Sequence, residues 1–295
     1  MTPLRARLER LFPALTPFGP IQPLARGWQS AVYESQSGWI IRVGLDAHAQ
    51  TGYARQWQAL KHLSSHLTLP IPIPAAFKHT APGFEHGVII HPKLPGTPVP
   101  WGMGPKPWFE DALKGFLRQL RAIDTAQALQ YGLQPHTITA SRLSKLRQNL
   151  HTTLRHHLSN VQWASIERWW GSILVDGRLQ SFRPTVIHGD LWTGNLLMEA
   201  SYPRLCGVID FGEVAVGDPA IDLAIQRYID GDFAQRLLHD AQNERPWDIH
   251  LKHRTDHHWD LRELWGLETA LERADMEEAL QSIDKLRAWG LISRL

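Results

Sequence analysis

Short apolar runs separated by turn residues mark the first hundred residues of the chain. Period-two runs over residues 30–34 and 39–43 predict two strands around a Gln-Ser-Gly turn. Leucines on one helical face predict a helix over residues 2–15, with Thr2 as its cap, and a second helical pattern covers 54–66. Residues 87–91 form a further apolar strand. The amino-terminal part of the chain is therefore expected to be rich in β-structure.

The periodicity becomes helical after about residue 107. Apolar residues at spacings of three and four predict helices over these stretches: 109–123, 140–158, 162–173, 219–229, 259–274 and 276–289. The Pro- and Gly-containing run 93–98 breaks both patterns and is the best candidate for a linker. The pattern predicts an α+β chain with a small, antiparallel-sheet amino-terminal lobe over residues 1–96, which includes the start of the linker. A larger, mainly helical lobe follows over 97–295.

The composition is that of a globular protein. Of the 295 residues, 43% are hydrophobic and 20% charged, which argues against a disordered chain, a collagen-like chain or a coiled coil. No apolar run is long enough for a membrane helix, and residues 1–15 lack the pattern of a signal peptide. The single cysteine, Cys206, can form neither an internal disulfide nor a Cys-based zinc site. A reducing, cytoplasmic location is expected.

The net charge of +2 hides an uneven distribution along the chain. Residues 1–190 contain 20 Lys and Arg against 10 Asp and Glu, whereas residues 191–295 contain 11 against 19. Such asymmetry indicates that the two parts of the chain bind partners of opposite charge. Solvated faces of different composition would give the same distribution.

Two polar clusters carry the candidate chemistry, and each follows a short apolar strand. The first is HGDLWTGN, from His188 to Asn195, and the second is the triplet that begins at Asp210. Phosphoryl transfer needs a carboxylate that accepts a hydroxyl proton and hard oxygen ligands for magnesium. The order and spacing match the protein-kinase pattern Asp-x-x-x-x-Asn followed by Asp-Phe-Gly.

HGDLWTGN followed by VIDFGEVAVGDPAIDLA resembles the aminoglycoside phosphotransferase family, relatives of choline kinase with a protein-kinase-like fold. The resemblance is most specific over residues 184–226. It implies ATP as the phosphate donor, with GTP as an alternative, and Mg²⁺ as the metal. The residue roles it implies are these: Asp190 as the catalytic base, Asn195 and Asp210 as magnesium ligands, and His188, Asp218 and Asp222 as supports of the catalytic loop. Trp192 and Glu213 are candidate substrate contacts.

The amino-terminal stretch supplies candidate nucleotide contacts. Arg42 occupies the position of the basic residue that holds phosphates on the third strand of kinases, and its planar guanidinium suits that role. A charge on an edge strand is the alternative interpretation. The helix acid of the family corresponds to Gln56, which cannot form an ion pair, although its carbonyl could accept from Arg42. Ser30 follows a loop with a single glycine and is a candidate phosphate contact.

Residues 91–94 lie where an adenine-binding linker is expected. A purine base needs one backbone acceptor and one backbone donor at such a linker. Pro92 has a carbonyl but no N–H group, so it can serve only as the acceptor, and Leu94 would provide the donor. A plain connector between lobes would have the same sequence.

A histidine cluster lies near the carboxyl-terminal end at positions 250, 253, 257 and 258. His253 and His257 are one helical turn apart, but no Glu lies between them as in the zinc-protease motif. Because the chain contains 16 histidines, such clusters arise by composition alone. The sequence therefore does not by itself predict a zinc site.

The sequence predicts a small-molecule kinase that needs neither nucleic acid nor a membrane. The acidic carboxyl-terminal part favours an amine-bearing acceptor such as an aminoglycoside. Metabolite kinases remain an alternative, since ketosamine (fructosamine) kinases resemble the chain at HGDLW and homoserine kinases are further relatives. A nucleotide-binding pseudokinase is the alternative from another class. Arg42 and Gln56 favour it, whereas Asp190, Asn195 and Asp210 argue against it.

Overall fold

The computed structural model describes residues 3–27, 29–201, 203–288 and 291–292. Thr2, the predicted cap of the first helix, and Trp28 of the predicted nucleotide loop lie outside the described residues. The chain divides into two compact units, Met1–Pro135 with Thr185–Val216, and His136–Pro184 with Gly217–Leu295. This division does not follow the predicted boundary after residue 96, because strands from the later segment pair with residues just beyond it. The two predicted lobes stay a prediction.

A five-stranded antiparallel sheet is the main element of the first unit. Its strands are β1 (Ile21–Arg26), β2 (Ser30–Ser35), β3 (Trp39–Gly44), β4 (Ala76–Lys78) and β5 (Val88–Pro92), in the order β1-β2-β3-β5-β4. β3 is the central strand, where Arg42 is paired with Val32 on β2 and Ile89 on β5. Arg42 is thus not on an edge strand, which rules out one of the two interpretations of its charge.

The helices of the first unit are α1 (Leu4–Leu11), α2 (Ala47–Ser64), α3 (Pro107–Ala122) and α4 (Thr125–Gln130). Leu8 of α1 packs in a buried cluster with Ile41 of β3 and Val88 of β5. α2 begins well before the predicted start at residue 54, because the Asp46 side chain accepts a hydrogen bond from the Ala49 N–H at 2.9 Å and caps the helix.

Five short strands hold the two polar clusters in place. They are β6 (Thr97–Pro98), β7 (Thr185–Ile187), β8 (Leu196–Met198), β9 (Leu205–Val208) and β10 (Ala215–Gly217). β6, β8 and β9 form one sheet, and β7 and β10 another. The predicted linker therefore ends in a strand, since Thr97 pairs with Met198. The buried strands fix the backbone on either side of each polar loop.

The second unit consists mainly of helices around a leucine-rich core. They are α5 (Ala140–His157), α6 (Asn160–Ile173), α7 (Ala220–Ala224), α8 (Gly231–Glu244), α9 (Leu251–Glu272) and α10 (Met276–Ala288). Leu146 and Leu150 of α5 pack with Trp170 of α6 and Leu264 of α9. The predicted α+β class, with an antiparallel sheet followed by a helical region, is confirmed. Within the described residues, no helix combines the length and apolar character that crossing a membrane requires.

Glu263 is a buried carboxyl group between α9 and α10. It contacts the Tyr228 hydroxyl, and its Oε2 lies 3.9 Å from Lys285 Nζ. Burial raises the pKa of Glu263 to about 7, with the Lys285 charge opposing and the Glu278 charge adding to the rise. At low pH the carboxyl group is protonated in both the folded and the unfolded protein, and the raised pKa then costs no stability. The cost is largest at high pH, where the group is ionised in both. We therefore expect the Glu263 contribution to lower the stability of the folded protein as the pH rises from about 5 to about 8, while His91, whose pKa is lowered to about 4, opposes it below about pH 6.5.

Glu263→Gln removes this ionisation and should abolish that loss. A pKa displaced from 4.5 to about 7 corresponds to about 3 kcal/mol at most, so the variant should gain up to that amount over wild type above about pH 8. Urea unfolding across the pH range measures it. Glu272→Gln, which alters an exposed carboxyl on the same helix, is the control and should leave the profile unchanged. Identical profiles for wild type and Glu263→Gln would contradict the expectation.

Candidate active site

A cavity of about 750 Å³ lies within the first unit. Its walls come from β1, β2 and β3, from the stretch between the end of β5 and β6, and from the two polar loops with residues beside them. Seven of the residues singled out in the sequence line it: Ser30, Arg42, Leu94, Asp190, Asn195, Asp210 and Glu213. The others lie outside its described walls: Gln56, Pro92, His188, Trp192, Asp218 and Asp222. The structure therefore brings together both polar clusters and the basic residue of β3.

His188 connects the two polar loops from a fully buried position. Its Nδ1 accepts a hydrogen bond from the Asp190 N–H at 3.3 Å, so the ring proton must be on Nε2, which donates to the Ile209 carbonyl at 3.0 Å. Gly189 has a φ of +84°, and a Cβ there would lie 2.7 Å from the Glu213 carbonyl oxygen. The close approach of the two loops thus requires glycine beside Asp190.

Asn195 is oriented by Asp190. Its Nδ2 donates to the Asp190 carbonyl at 2.8 Å and to the Asp190 carboxylate Oδ2 at 3.0 Å. Because both partners can only accept, the amide nitrogen faces Asp190, and Oδ1 has no hydrogen-bond partner among the described residues. Asn195 Oδ1 and the Asp210 carboxylate are hard oxygen donors on the wall of one cavity. This donor set fits a magnesium ion.

An ion pair joins β3 to the second polar loop. Arg42 Nη1 lies 2.9 Å from Asp210 Oδ1, and Asp210 adopts the left-handed conformation at φ 60°. Burial acts to lower the pKa of Arg42, but Asp210 and Tyr53 outweigh it and raise that pKa. Burial acts to raise the pKa of Asp210, but Arg42 outweighs it and that pKa is lowered. Both groups are therefore charged at neutral pH.

The Arg42 side chain has an N–H group that its ion pair with Asp210 does not use. Its side chain is 14% exposed, and its buried Nε has no hydrogen-bond partner among the described residues. A buried guanidinium N–H without a partner carries a free-energy cost that an anion in the cavity would relieve. The residues around Arg42 thus fit a phosphate group.

The helix partner of Arg42 is Tyr53 rather than Gln56. The Arg42 guanidinium lies 5.7 Å from the centre of the Tyr53 ring, whose hydroxyl donates to Ser30 Oγ at 2.6 Å. Gln56 Nε2 instead donates to the Gly52 carbonyl of its own helix at 3.3 Å, so the predicted Gln56–Arg42 hydrogen bond is not formed. Tyr53 was missed because the predicted helix begins one residue after it. The Asp46 cap was the available signal for the earlier start.

The end of β5 and the residues after it present a neutral imidazole and a backbone N–H without a partner among the described residues. His91 Nδ1 lies 3.2 Å from the Pro92 carbonyl oxygen, and since that oxygen can only accept, Nδ1 carries the proton. Burial lowers the pKa of His91 to about 4, so the ring is neutral near pH 7. Among the described residues the Leu94 N–H has no hydrogen-bond partner. The Pro92 carbonyl retains its second lone pair.

Asp218 lies in the second unit, where it joins the start of α7 to α9. It accepts hydrogen bonds from Arg254 Nε at 2.8 Å, from His258 Nε2 at 3.0 Å and from the Ala220 N–H at 3.0 Å. Burial acts to raise the pKa of Asp218, but His258 and Arg254 outweigh it and that pKa is lowered. Asp222 is buried on α7. Support of the catalytic loop by these two residues stays a prediction.

Trp192 and Glu213 flank the catalytic loop within the first unit. The Trp192 ring packs over Gly194, where a Cβ would come within 2.5 Å of it. Its centre lies 6.3 Å from that of Trp101, whose side chain is 59% exposed. Glu213 is exposed on the cavity wall. Their proposed contacts with a substrate stay predictions.

Comparison with known sequences finds a family and two curated relatives. The model of a family described as "Phosphotransferase enzyme family" matches residues 20–250. Viomycin phosphotransferase of Streptomyces vinaceus is 46% identical over 55 residues, which are 18% of each chain. The uncharacterized protein YcbJ of Bacillus subtilis is 28% identical over 182 residues, 54% of this chain and 56% of that protein. The chain thus spans at most about half the length of the curated relatives it matches.

Solved structures share the fold over almost the whole chain. The GDP and kanamycin complex of APH(2")-IIia superimposes with a TM-score of 0.83 at 17% identity and covers 96% of both chains. Macrolide 2'-phosphotransferase type I does so with a TM-score of 0.70 at 20% identity and covers 97% of both. At such identities the likeness concerns the fold alone. The predicted protein-kinase-like fold is thereby confirmed.

Proposed function

Since the chain belongs to the phosphotransferase enzyme family, we propose that it transfers the γ-phosphoryl group of a nucleoside triphosphate to a hydroxyl group of a small molecule. The observation that carries the proposal is the convergence of Asp190, Asn195, Asp210 and Arg42 on one cavity. These are a carboxylate base, two oxygen ligands and an anion-binding cation, the groups that phosphoryl transfer requires.

Asp190 is proposed as the base. In this reaction the acceptor oxygen forms a bond to the γ-phosphorus while the bond to the leaving nucleoside diphosphate oxygen breaks, and the hydroxyl proton passes to the Asp190 carboxylate. Asn195 holds one carboxylate oxygen by a hydrogen bond at 3.0 Å. That bond orients the carboxylate, which lies on the cavity wall where the acceptor hydroxyl would bind.

Asn195 and Asp210 are the proposed holders of Mg²⁺. The ion, when bound, would neutralise charge on the phosphate oxygens. Asn195 would offer Oδ1, which its amide hydrogen bonds to Asp190 turn away from that residue. Asp210 would offer the carboxylate oxygen that does not contact Arg42.

The nucleotide is proposed to be ATP, with GTP as the alternative. Arg42 would hold its phosphates through Nε and the guanidinium groups not engaged by Asp210. The purine base would lie against the residues that follow β5 and accept from the Leu94 N–H, which belongs to the cavity wall. The Pro92 carbonyl, the acceptor expected from the sequence, belongs to a residue outside that wall, so its contact with the base stays a prediction. Ser30 would contribute through Oγ, which already accepts from Tyr53.

The acceptor is proposed to be an amine-bearing, antibiotic-like compound. The 19 acidic against 11 basic residues of 191–295 favour a cationic molecule. The curated relative viomycin phosphotransferase and the kanamycin complex support the same class.

The test is nucleotide turnover across a panel of kanamycin, gentamicin, viomycin, a macrolide, a fructosamine and homoserine, with ATP and GTP in parallel. Phosphorylated product is detected by mass spectrometry. Turnover with an amine-bearing antibiotic is expected. Turnover restricted to a metabolite would reassign the acceptor class. Tight nucleotide binding without turnover of any acceptor would point instead to a pseudokinase.

Arg42→Ala should raise the KM for the nucleotide and lower kcat, because the buried cation on the phosphates is lost. Arg42→Lys should recover part of the effect, since an ammonium lacks the planar fork. Tyr53→Phe should be milder, at about 0.5–1.5 kcal/mol, because it removes one neutral hydrogen bond. Gln56→Ala should leave the nucleotide kinetics close to those of wild type, because Gln56 bonds to Gly52 of its own helix rather than to Arg42. Steady-state kinetics with varied nucleotide measure all four variants. Unchanged kinetics for Arg42→Ala would show that another basic residue holds the phosphates.

A further inference from the structure

The histidine cluster of the second unit resolves into three separate environments. His258 binds Asp218, and His250 precedes the first turn of α9. His253 and His257, one turn apart on α9, lie beside Asp176 in the segment between α6 and the short helix Gly177–Gln180. Neither the proposed phosphoryl transfer nor the core uses this group of three.

One ligand atom from each residue of this Asp176–His253–His257 group lies within 4.8 Å of the other two. His253 Nε2 and Asp176 Oδ2 are 2.6 Å apart, and the two imidazole rings have centres 4.1 Å apart. The side chains of Asp176 and His253 are 8% and 24% exposed, so the group is shielded but reachable from solvent. The spacing of two histidines at i and i+4 presents both rings on one helix face.

The hydrogen bonds fix which nitrogen of His257 is free. Its Nδ1 lies 2.8 Å from the His253 carbonyl oxygen, which can only accept, so Nδ1 carries the proton. The lone pair of a neutral His257 is therefore on Nε2. A backbone carbonyl that binds one ring N–H and exposes the other nitrogen is the arrangement that orients histidine ligands in metal sites.

We propose that Asp176, His253 and His257 form a binding site for a divalent transition metal, Zn²⁺ in the first instance. Two imidazole nitrogens and one carboxylate oxygen are borderline donors that suit zinc, and the fourth position would be open to water. The ion would take the place of the proton now shared by His253 Nε2 and Asp176 Oδ2. It would tie the segment that follows α6 to α9.

Arg178 is the competitor for this site. Its Nε and Nη2 donate to the two Asp176 carboxylate oxygens at 2.8 and 2.9 Å. A bound cation would share Asp176 with that guanidinium and be repelled by it. Removing Arg178 should therefore strengthen metal binding, an effect that nonspecific binding to surface histidines would not produce.

The experiment is calorimetric titration of the full-length, EDTA-dialysed protein with ZnCl₂, with Co²⁺ absorption as a probe of coordination geometry. Wild type should bind one tight equivalent. His253→Ala, His257→Ala and Asp176→Asn should each weaken binding at least about tenfold, since even the loss of an outer-shell partner costs 10–100-fold. Arg178→Gln should bind more tightly. Zn²⁺ should raise the Tm of wild type but not of the ligand variants.

His250→Ala and His239→Ala are the matched controls, because each removes a histidine of the same unit outside the group. Both should keep the tight equivalent. Circular dichroism in EDTA checks folding, and His257→Gln replaces His257→Ala if the latter does not fold. Equal weakening in the controls, no tight equivalent in wild type, or an Arg178→Gln variant with unchanged affinity would overturn the proposal.

Discussion

Asp190→Ala is expected to lower phosphoryl transfer by at least about a hundredfold while nucleotide binding stays close to that of wild type. The loss follows because the carboxylate both orients the acceptor hydroxyl and takes its proton. Binding survives because Asn195 keeps its second hydrogen bond, to the Asp190 backbone carbonyl at 2.8 Å, and so keeps its orientation. Steady-state kcat and calorimetric nucleotide titration measure the two effects separately.

Asp190→Asn separates the role of Asp190 as a base from its role in orienting the acceptor. The amide has the size of the carboxylate but cannot accept the proton, so a loss as large as that of Asp190→Ala would assign most of the effect to the base role. Glu199→Ala, which removes a half-buried carboxylate of the same unit that pairs with Arg204, is the control and should retain full activity. Undiminished turnover by Asp190→Ala would remove Asp190 from the mechanism.

The local pattern carried most of the information about the first unit and its chemistry. Short buried strands that end in polar clusters are visible in the sequence, because both the apolar run and the chemistry that follows it are contiguous. The convergence of Asp190, Asn195 and Asp210 with Arg42 could therefore be expected before the structure. β1 was missed because Pro23 interrupts its pattern; an edge strand with a register shift accommodates that proline.

Features that depend on distant partners were not predictable in the same way. The start of α9 looks solvent-exposed in the sequence, since residues 251–258 are mostly polar. Arg254 is nevertheless fully buried, because Asp218 and Asp248 supply its hydrogen bonds. Likewise, the positions of Tyr53 and Arg42 in the sequence do not predict that the Tyr53 ring lies against the Arg42 guanidinium. Both contacts bring together residues from separate elements, and single-chain periodicity contains no information about them.

The Arg42–Asp210 ion pair gives Asp210 two opposing roles in nucleotide binding. Without metal, its negative charge repels phosphates and occupies part of the Arg42 guanidinium. With Mg²⁺, the same carboxylate would supply a ligand to the ion. Replacing the carboxylate should therefore change the affinity in opposite directions under the two conditions.

Asp210→Asn is accordingly expected to weaken binding of the Mg²⁺–nucleotide complex and to leave metal-free nucleotide binding unchanged or tighter. The metal enhancement of affinity should fall by at least about tenfold, because the neutral amide is a poorer magnesium ligand and Arg42 is freed for the phosphates. Asn195→Ala should reduce the enhancement less, since it removes a neutral ligand. Calorimetric titration with ADP, with and without MgCl₂, measures the ratio. Glu34→Gln removes a carboxylate paired with Lys93 and should keep the wild-type ratio, whereas a wild-type ratio in Asp210→Asn would show that Asp210 does not hold the metal.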